Sequence, residues 1–308
     1  MRFAFNLIIL VSLSFSSMMN HFEYEGKQNG NEKIRFQLGD IKISQDKDHY
    51  KFDYNYTGFI MEEGMPELPV FSRMIEIEPG FNYSVQYSLI ENQTHLNKPI
   101  RATGEMTLDK SKHEKGLTRN LTRQTIFPET HVKISEPMVM RGLEVINLEV
   151  IPFSFNPSNN EINSFNEIAI EIIKENTREV LRNRPIHRNA VNDEIFENIV
   201  LNYSRTTDEF KPPVIIYITG GSLANNNSFQ DLVEWKHKRG YETIVAAVSS
   251  IGNSTTSIKN YIQNAYNNWD NPPSFICFVG DANGNYAIPT FIEYQSGYNG
   301  EGDQPYSQ

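Results

Sequence analysis

One thiol and seven imidazoles are available for nucleophilic or metal chemistry in this 308-residue chain. A cysteine nucleophile needs a base within hydrogen-bond reach at an open cleft. Cys277, the single cysteine, stands inside the apolar run Phe275-Ile276-Cys277-Phe278-Val279, where a thiol behaves as a small hydrophobe. His237 lies among Lys236, Lys238 and Arg239 at the end of an expected helix. Both are read as structural, not catalytic. His21, His49, His95, His113, His131 and His187 show none of the short spacings of a zinc site. Asp281 follows Val279-Gly280, and ligands of parallel α/β sheets gather at the carboxyl ends of strands. It reads equally as a ligand or as a loop carboxylate accepting backbone N–H bonds. Spacing alone assigns no role to Asp303 or Tyr306. Gly220-Gly221-Ser222 follows an expected strand, but neither G-x-G-x-x-G nor a following Gly-Lys-Ser/Thr is present, so a plain turn is expected in place of a phosphate loop.

The elements that must position these residues fall into two kinds. Residues 20–175 read as β: Lys33–Leu38, Met74–Glu78 and Tyr83–Tyr87 alternate with period two, and further strands are expected at Val145–Ile151 and Glu167–Ile173. Pro79-Gly80, Asn156-Pro157 and Asn159-Asn160 separate them. Many short alternating strands predict an antiparallel, sandwich-like domain. Residues 212–308 read as α/β. Val214–Ile218 is continuously apolar, as in a strand buried on both faces. A helix is expected over Ser228–Arg239, capped by Ser228 and stopped by Gly240. The strand Thr243–Val248 follows, then a helix carrying Ile258, Tyr261, Ile262, Ala265, Tyr266 and Trp269, then a third buried strand at Phe275–Val279. Strand–helix–strand–helix–strand implies a parallel sheet.

Between these lies 176–211, charged and weakly periodic, although Ile195-Phe196 and Ile199-Val200-Leu201 could dock locally. It reads as an interdomain linker: either a solvated connector and nothing more, or a maturation segment whose arginines Arg178, Arg182, Arg184, Arg188 and Arg205 are candidate sites for a cut by a trypsin-like activity. Arg2, the apolar stretch Phe3–Phe15 and Ser14, Ser16 and Ser17 have the layout of a secretory signal peptide over 1–19. No later stretch is apolar and long enough to span a bilayer. The balance of 28 Lys+Arg against 38 Asp+Glu, net −10, argues against nucleic-acid binding. A single cysteine excludes an internal disulfide framework.

Several pieces in register resemble the gingipain-type cysteine peptidases and their precursors. They are Val214–Ile218, Phe229–Lys236 with Lys238–Tyr241, Ile258–Gln263, Phe278-Val279-Gly280-Asp281, Ala287-Ile288-Pro289 and Asp303–Gln308. Upstream, Gly64–Pro69, Ile75–Gly80, Arg141-Gly142 leading to Leu148–Phe153, and Phe155-Asn156-Pro157 are similar to the family's propeptide. The resemblance covers most of 60–308. It implies a secreted or cell-surface zymogen: a β-rich propeptide, a basic junction and the front of a caspase-like α/β catalytic domain that cleaves peptide bonds with a Cys nucleophile and a His base. The family's His-Gly segment, its Cys and its acidic specificity residue are expected beyond the Asp303–Tyr306 element. No catalytic residue therefore transfers to this chain, which alone is expected to be inactive. The resemblance also implies contact between propeptide and catalytic domain, peptide or protein substrates for the parent, no required cofactor, and structural calcium for which Asp281 and Asp303 are the candidate ligands. Two alternatives stay open: a naturally ending inhibitory or binding protein, and a sortase-like relative that processes secreted cargo.

Overall fold

The computed structural model describes residues 21–39, 42–46, 49–53, 58–60, 65–96, 100, 125–181, 189–204, 210–295 and 297–307. The chain divides into two units. The first comprises Met1–Asn183 with Glu197–Ser204, and the second Arg184–Phe196 with Arg205–Gln308.

The first unit is built from β1 (Phe22–Gln28), β2 (Asn31–Gln37), β3 (Lys42–Asp46), β4 (His49–Asp53), β5 (Gly58–Phe59), β6 (Pro69–Glu76), β7 (Phe81–Leu96), β8 (Val132–Ile134), β9 (Met138–Met140), β10 (Leu143–Val150), β11 (Phe153–Asn156) and β12 (Glu161–Thr177). β12 organises one antiparallel sheet. Along one edge it pairs with β7 from Glu161 to Thr177, and its other edge is shared by β2 and β11. β10 organises the second sheet, with β6 on one edge and β9 and β8 on the other. Alternation turns Phe22, Ile34, Phe36, Ile168, Ile170 and Ile172 of the first sheet and Phe71, Ile75, Val132, Ile146, Leu148 and Val150 of the second into one apolar core. This is the expected sandwich. Phe36 is wholly buried and packs edge-on against both Phe22 and Phe71, each 5.2 Å away between ring centroids, so it joins the two sheets. β1 and β2 are closed by Asn29-Gly30, both with positive φ, the two-residue turn whose twist suits a hairpin. The strand expected at Glu167–Ile173 is the middle of a 17-residue strand.

Downstream of β12 the described residues are structured. Helix α1 (Ala190–Ile199) buries Phe196. After it, Val200 forms a parallel bridge with Met74 and the Leu201 amide donates to the Met74 carbonyl at 2.8 Å. The Asn202 side chain then imitates a strand residue: its Oδ1 accepts from the Glu76 amide at 2.7 Å and its Nδ2 donates to the Glu76 carbonyl at 2.9 Å. Residues 200–202 thus form a short strap laced along β6.

The second unit contains β13 (Val214–Thr219), α2 (Asn227–Lys238), β14 (Glu242–Ala247), α3 (Val248–Ile251), α4 (Thr255–Asn268), β15 (Pro273–Val279), β16 (Phe291–Gln295) and β17 (Tyr298–Gly302). β14, β13 and β15 form a parallel sheet in that order. Ile215 and Tyr217 pack with Phe229 of α2 on one face; Val214, Ile216 and Ile218 pack with Ile258, Ile262 and Ala265 of α4 on the other. All six residues of β13 are buried for this reason. Two local expectations are corrected. Asn226, not Ser228, caps α2, its side chain accepting from the Phe229 amide at 3.1 Å. Among the described residues β15 is not a buried strand: it lies at the sheet's edge, its residues are only partly covered, and Cys277 is exposed.

Candidate functional site

Two places carry the residues singled out above: the carboxyl end of the parallel sheet, and the corner where the chain leaves β12.

β13 lies between β14, which follows it in sequence, and β15. The crevice between the carboxyl ends of β13 and β15 is therefore the topological switch point, where such sheets bind ligands. Here it is filled by the protein's own backbone. The Gly220 amide donates to the Val279 carbonyl at 3.0 Å, extending the β13–β15 ladder. The segment after β15 then folds back: the Asp281 amide donates to the Tyr286 carbonyl at 3.1 Å, and the Ile288 amide to the Asp281 carbonyl at 2.8 Å. A Cβ on Gly220 or Gly280 would collide with the Tyr286 carbonyl, and one on Gly221 with the Asn285 carbonyl. Carbonyl oxygens thus lie where a phosphate loop would present N–H groups. Gly220-Gly221 is a turn, as expected, and its glycines admit the returning chain.

The Asp281 carboxylate, exposed, accepts from the Ala282 amide at 2.7 Å, the local loop bond that was one of its two readings. Asp303 is exposed and opens the turn that seats Tyr306, whose amide donates to the Asp303 carbonyl at 3.1 Å. Tyr306 is buried. It packs against Phe278 and Phe291, each 4.9 Å away, and donates its hydroxyl to the Pro289 carbonyl. Burial, then the charge of Asp303, pushes its pKa up. Among the described residues no group of three or more His, Cys, Asp or Glu side chains is placed to hold a metal.

Cys277 and His237 are not brought together as a nucleophile and base. The thiol lies 4.0 Å from the Phe278 carbonyl, and His237 Nδ1 lies 3.2 Å from the Tyr241 carbonyl. Although Cys277 is exposed on the edge strand, its thiol is shielded enough that burial pushes its pKa up, against a smaller pull downward from Lys236. An activated thiolate needs the opposite shift.

At the other place, Arg178 follows the last residue of β12. Its side chain is only 15% exposed and is ion-paired with Glu144 of β10, whose side chain is 2% exposed. Arg182, Arg184, Arg188 and Arg205, like the expected signal peptide, lie outside the described residues. Sequence reasoning missed Glu144 and Asn202. Their contacts leave no local signal, because their partners lie 34 and 126 residues away.

A family model of the C25 propeptide matches residues 25–208, and one of peptidase family C25 matches residues 208–308. The chain belongs to the C25 family. The resemblance to gingipain-type precursors read from the sequence is thereby borne out. Gingipain R1 of Porphyromonas gingivalis is 20% identical over 272 residues, covering 83% of this chain and 27% of that protein. Gingipain R2 of the same species is 21% identical over 236 residues, covering 72% of this chain and 31% of that protein. The chain thus spans less than a third of the length of these C25 relatives. A solved complex of the pro- and mature domains of Porphyromonas gingivalis RgpB contains a chain of similar fold, with a TM-score of 0.50 at 13% identity, over 60% of this chain and 98% of that one. No helix among the described residues is long and apolar enough to cross a membrane.

Proposed function

We propose that this chain is the propeptide and the front of the catalytic domain of a secreted or surface gingipain-type cysteine endopeptidase, made as a zymogen. The supporting observation is the coincidence of two boundaries. The propeptide and peptidase matches meet at residue 208, and the sandwich unit gives its last residue at Ser204. In the parent, a cysteine thiolate attacks the scissile carbonyl, a histidine acts as base, and backbone donors hold the oxyanion; neither that cysteine nor that histidine is assigned to this chain, which alone is inactive. The sandwich acts as the latency module and rests on the catalytic domain, a reading supported by RgpB, whose pro- and mature domains form a complex. Its substrates are peptides or proteins.

The maturation cut falls after Arg205. Residues 197–204 belong to the sandwich unit, and the strap at 200–202 is hydrogen-bonded to β6. A cut at Arg182, Arg184 or Arg188 leaves that strap covalently joined to the peptidase side. A cut after Arg205 leaves it wholly with the propeptide. The test is to express the complete reading frame that carries this chain, with Arg205→Gln or with Arg182, Arg184 and Arg188 all changed to Gln, and to read the N-terminus of the released enzyme by mass spectrometry alongside hydrolysis of a peptide substrate. The first variant should arrest as a latent precursor and the second should mature. Normal maturation of the Arg205→Gln protein would refute the assignment.

A further inference from the structure

Arg178 opens the arginine-bearing stretch, yet its surroundings differ from those of a protease substrate. A serine or cysteine protease of trypsin-like preference needs the arginine side chain free to enter a pocket and several flanking residues free to lie extended. Arg178 meets neither condition. Its guanidinium is used three ways: Nη2 is paired with Glu144, Nε donates to the Phe81 carbonyl at 3.0 Å, and Nη1 donates to the Glu179 carbonyl at 2.8 Å. Its amide donates to the Gly80 carbonyl at 2.8 Å. Three residues on, the Leu181 amide donates to the other Glu144 oxygen at 3.0 Å. The Glu144 carboxylate is therefore shared between a side chain and a backbone group on either side of the Arg178–Glu179 and Glu179–Val180 bonds. A buried carboxylate holds such partners tightly, because releasing them leaves its charge uncompensated.

We propose that Glu144 is a clamp that withholds Arg178, the first residue after β12, from arginine-specific proteolysis. The clamp determines which arginine is refused; it makes no contact with a protease. The idea rests on the reading of the chain as a zymogen only for its biological purpose, since the clamp itself is a property of the sandwich unit.

The test is limited trypsin digestion of the full chain under native conditions, with products identified by intact mass. Cleavage of a folded protein tracks the population of the locally opened state, so releasing the clamp should raise the Arg178 cutting rate by about tenfold or more. The wild-type chain should give no product ending at Arg178 while other sites are cut. Glu144→Gln, which removes the charge and keeps the shape, should give that product. Leu181→Pro, which removes the second tether and lies outside the strands, should give it to a smaller extent. Cuts within β6 at Arg73 or within β8 at Lys133 report global unfolding, so a variant that merely fails to fold is distinguished from one that opens locally. Ready cleavage at Arg178 in the wild-type chain overturns the proposal, as does an uncut Arg178 in both variants when Arg73 and Lys133 stay protected. Neither result bears on where the parent matures, and a failed Arg205→Gln test leaves the clamp untouched.

Discussion

The strap at 200–202 depends on one side chain acting as two backbone groups, and Asn202→Ala removes both. The amide accepts from the Glu76 N–H at 2.7 Å and donates to the Glu76 carbonyl at 2.9 Å. Each such bond contributes about 0.5–1.5 kcal/mol net. Glu76 is only half-buried, so water can reach its freed groups, and a loss of about 1–2 kcal/mol is expected, short of the full penalty for burying them unpaired. For a unit of this size that is roughly 2–8 °C in Tm. Asn202→Asp sharpens the test. A carboxylate keeps the acceptor for the Glu76 N–H but sets a second oxygen against the Glu76 carbonyl, so at neutral pH it should cost at least as much as alanine. Thermal unfolding followed by circular dichroism gives the stability, and hydrogen exchange of the Leu201 amide, bonded to Met74 at 2.8 Å, reports the strap directly. Unchanged Leu201 protection in Asn202→Ala, with Tm within about 1 °C of wild type, would refute the argument that Asn202 holds the strap.

Two further outcomes follow from the geometry. Gly220→Ala should destabilise the α/β unit by about 1–3 kcal/mol or more in urea titration, because the Tyr286 backbone carbonyl occupies the Cβ position; a neutral result would mean that the 281–288 loop does not lie on the switch point. His131 is buried and its pKa is lowered by that burial, with the bond to the Ile151 carbonyl at 2.8 Å acting the other way. Its neutral form is therefore favoured in the fold, so the unfolded chain binds the extra proton first. The stability it gives is intact above about pH 6.5, the unfolded value, and falls as pH drops below that toward the lowered folded value. Urea titrations at pH 7.5 and 5.5 should show that loss, and His131→Phe should remove the part due to this residue.

What could be read from the chain was whatever repeats locally. Lys33–Leu38, with apolar residues at every second position, supplies most of β2, and the unbroken Val214–Ile218 run forms most of a strand covered on both faces. Partners distant in sequence leave no such mark. Arg178 looked like its neighbours in a basic stretch, and its fate is set by Glu144, placed on β10 by a hairpin 34 residues earlier. The cap of α2 moved from Ser228 to Asn226 because both residues can cap and only the turn preceding the helix decides between them. Cys277 sits in an apolar strand, as its neighbours indicated, but strand order decides coverage, and β15 is an edge.

The same distinction bears on how a boundary between propeptide and enzyme should be drawn. A change of composition near residue 176 marks the place where sheet patterning stops. It does not mark the place where the sandwich stops, because the chain leaves that unit at 183, returns to it at 197 and leaves again at 204. A segment that departs and returns cannot be partitioned by a cut inside the excursion: both resulting pieces would still own part of the first unit. The returning part is held by main-chain bonds and by Asn202, with Val200 buried beneath it, and the departing part is held by Glu144. Both ends of the excursion are thus secured on the sandwich by residues that sequence periodicity does not reveal. A clean division of the polypeptide requires a cut beyond Ser204, and Arg205 is the first arginine there.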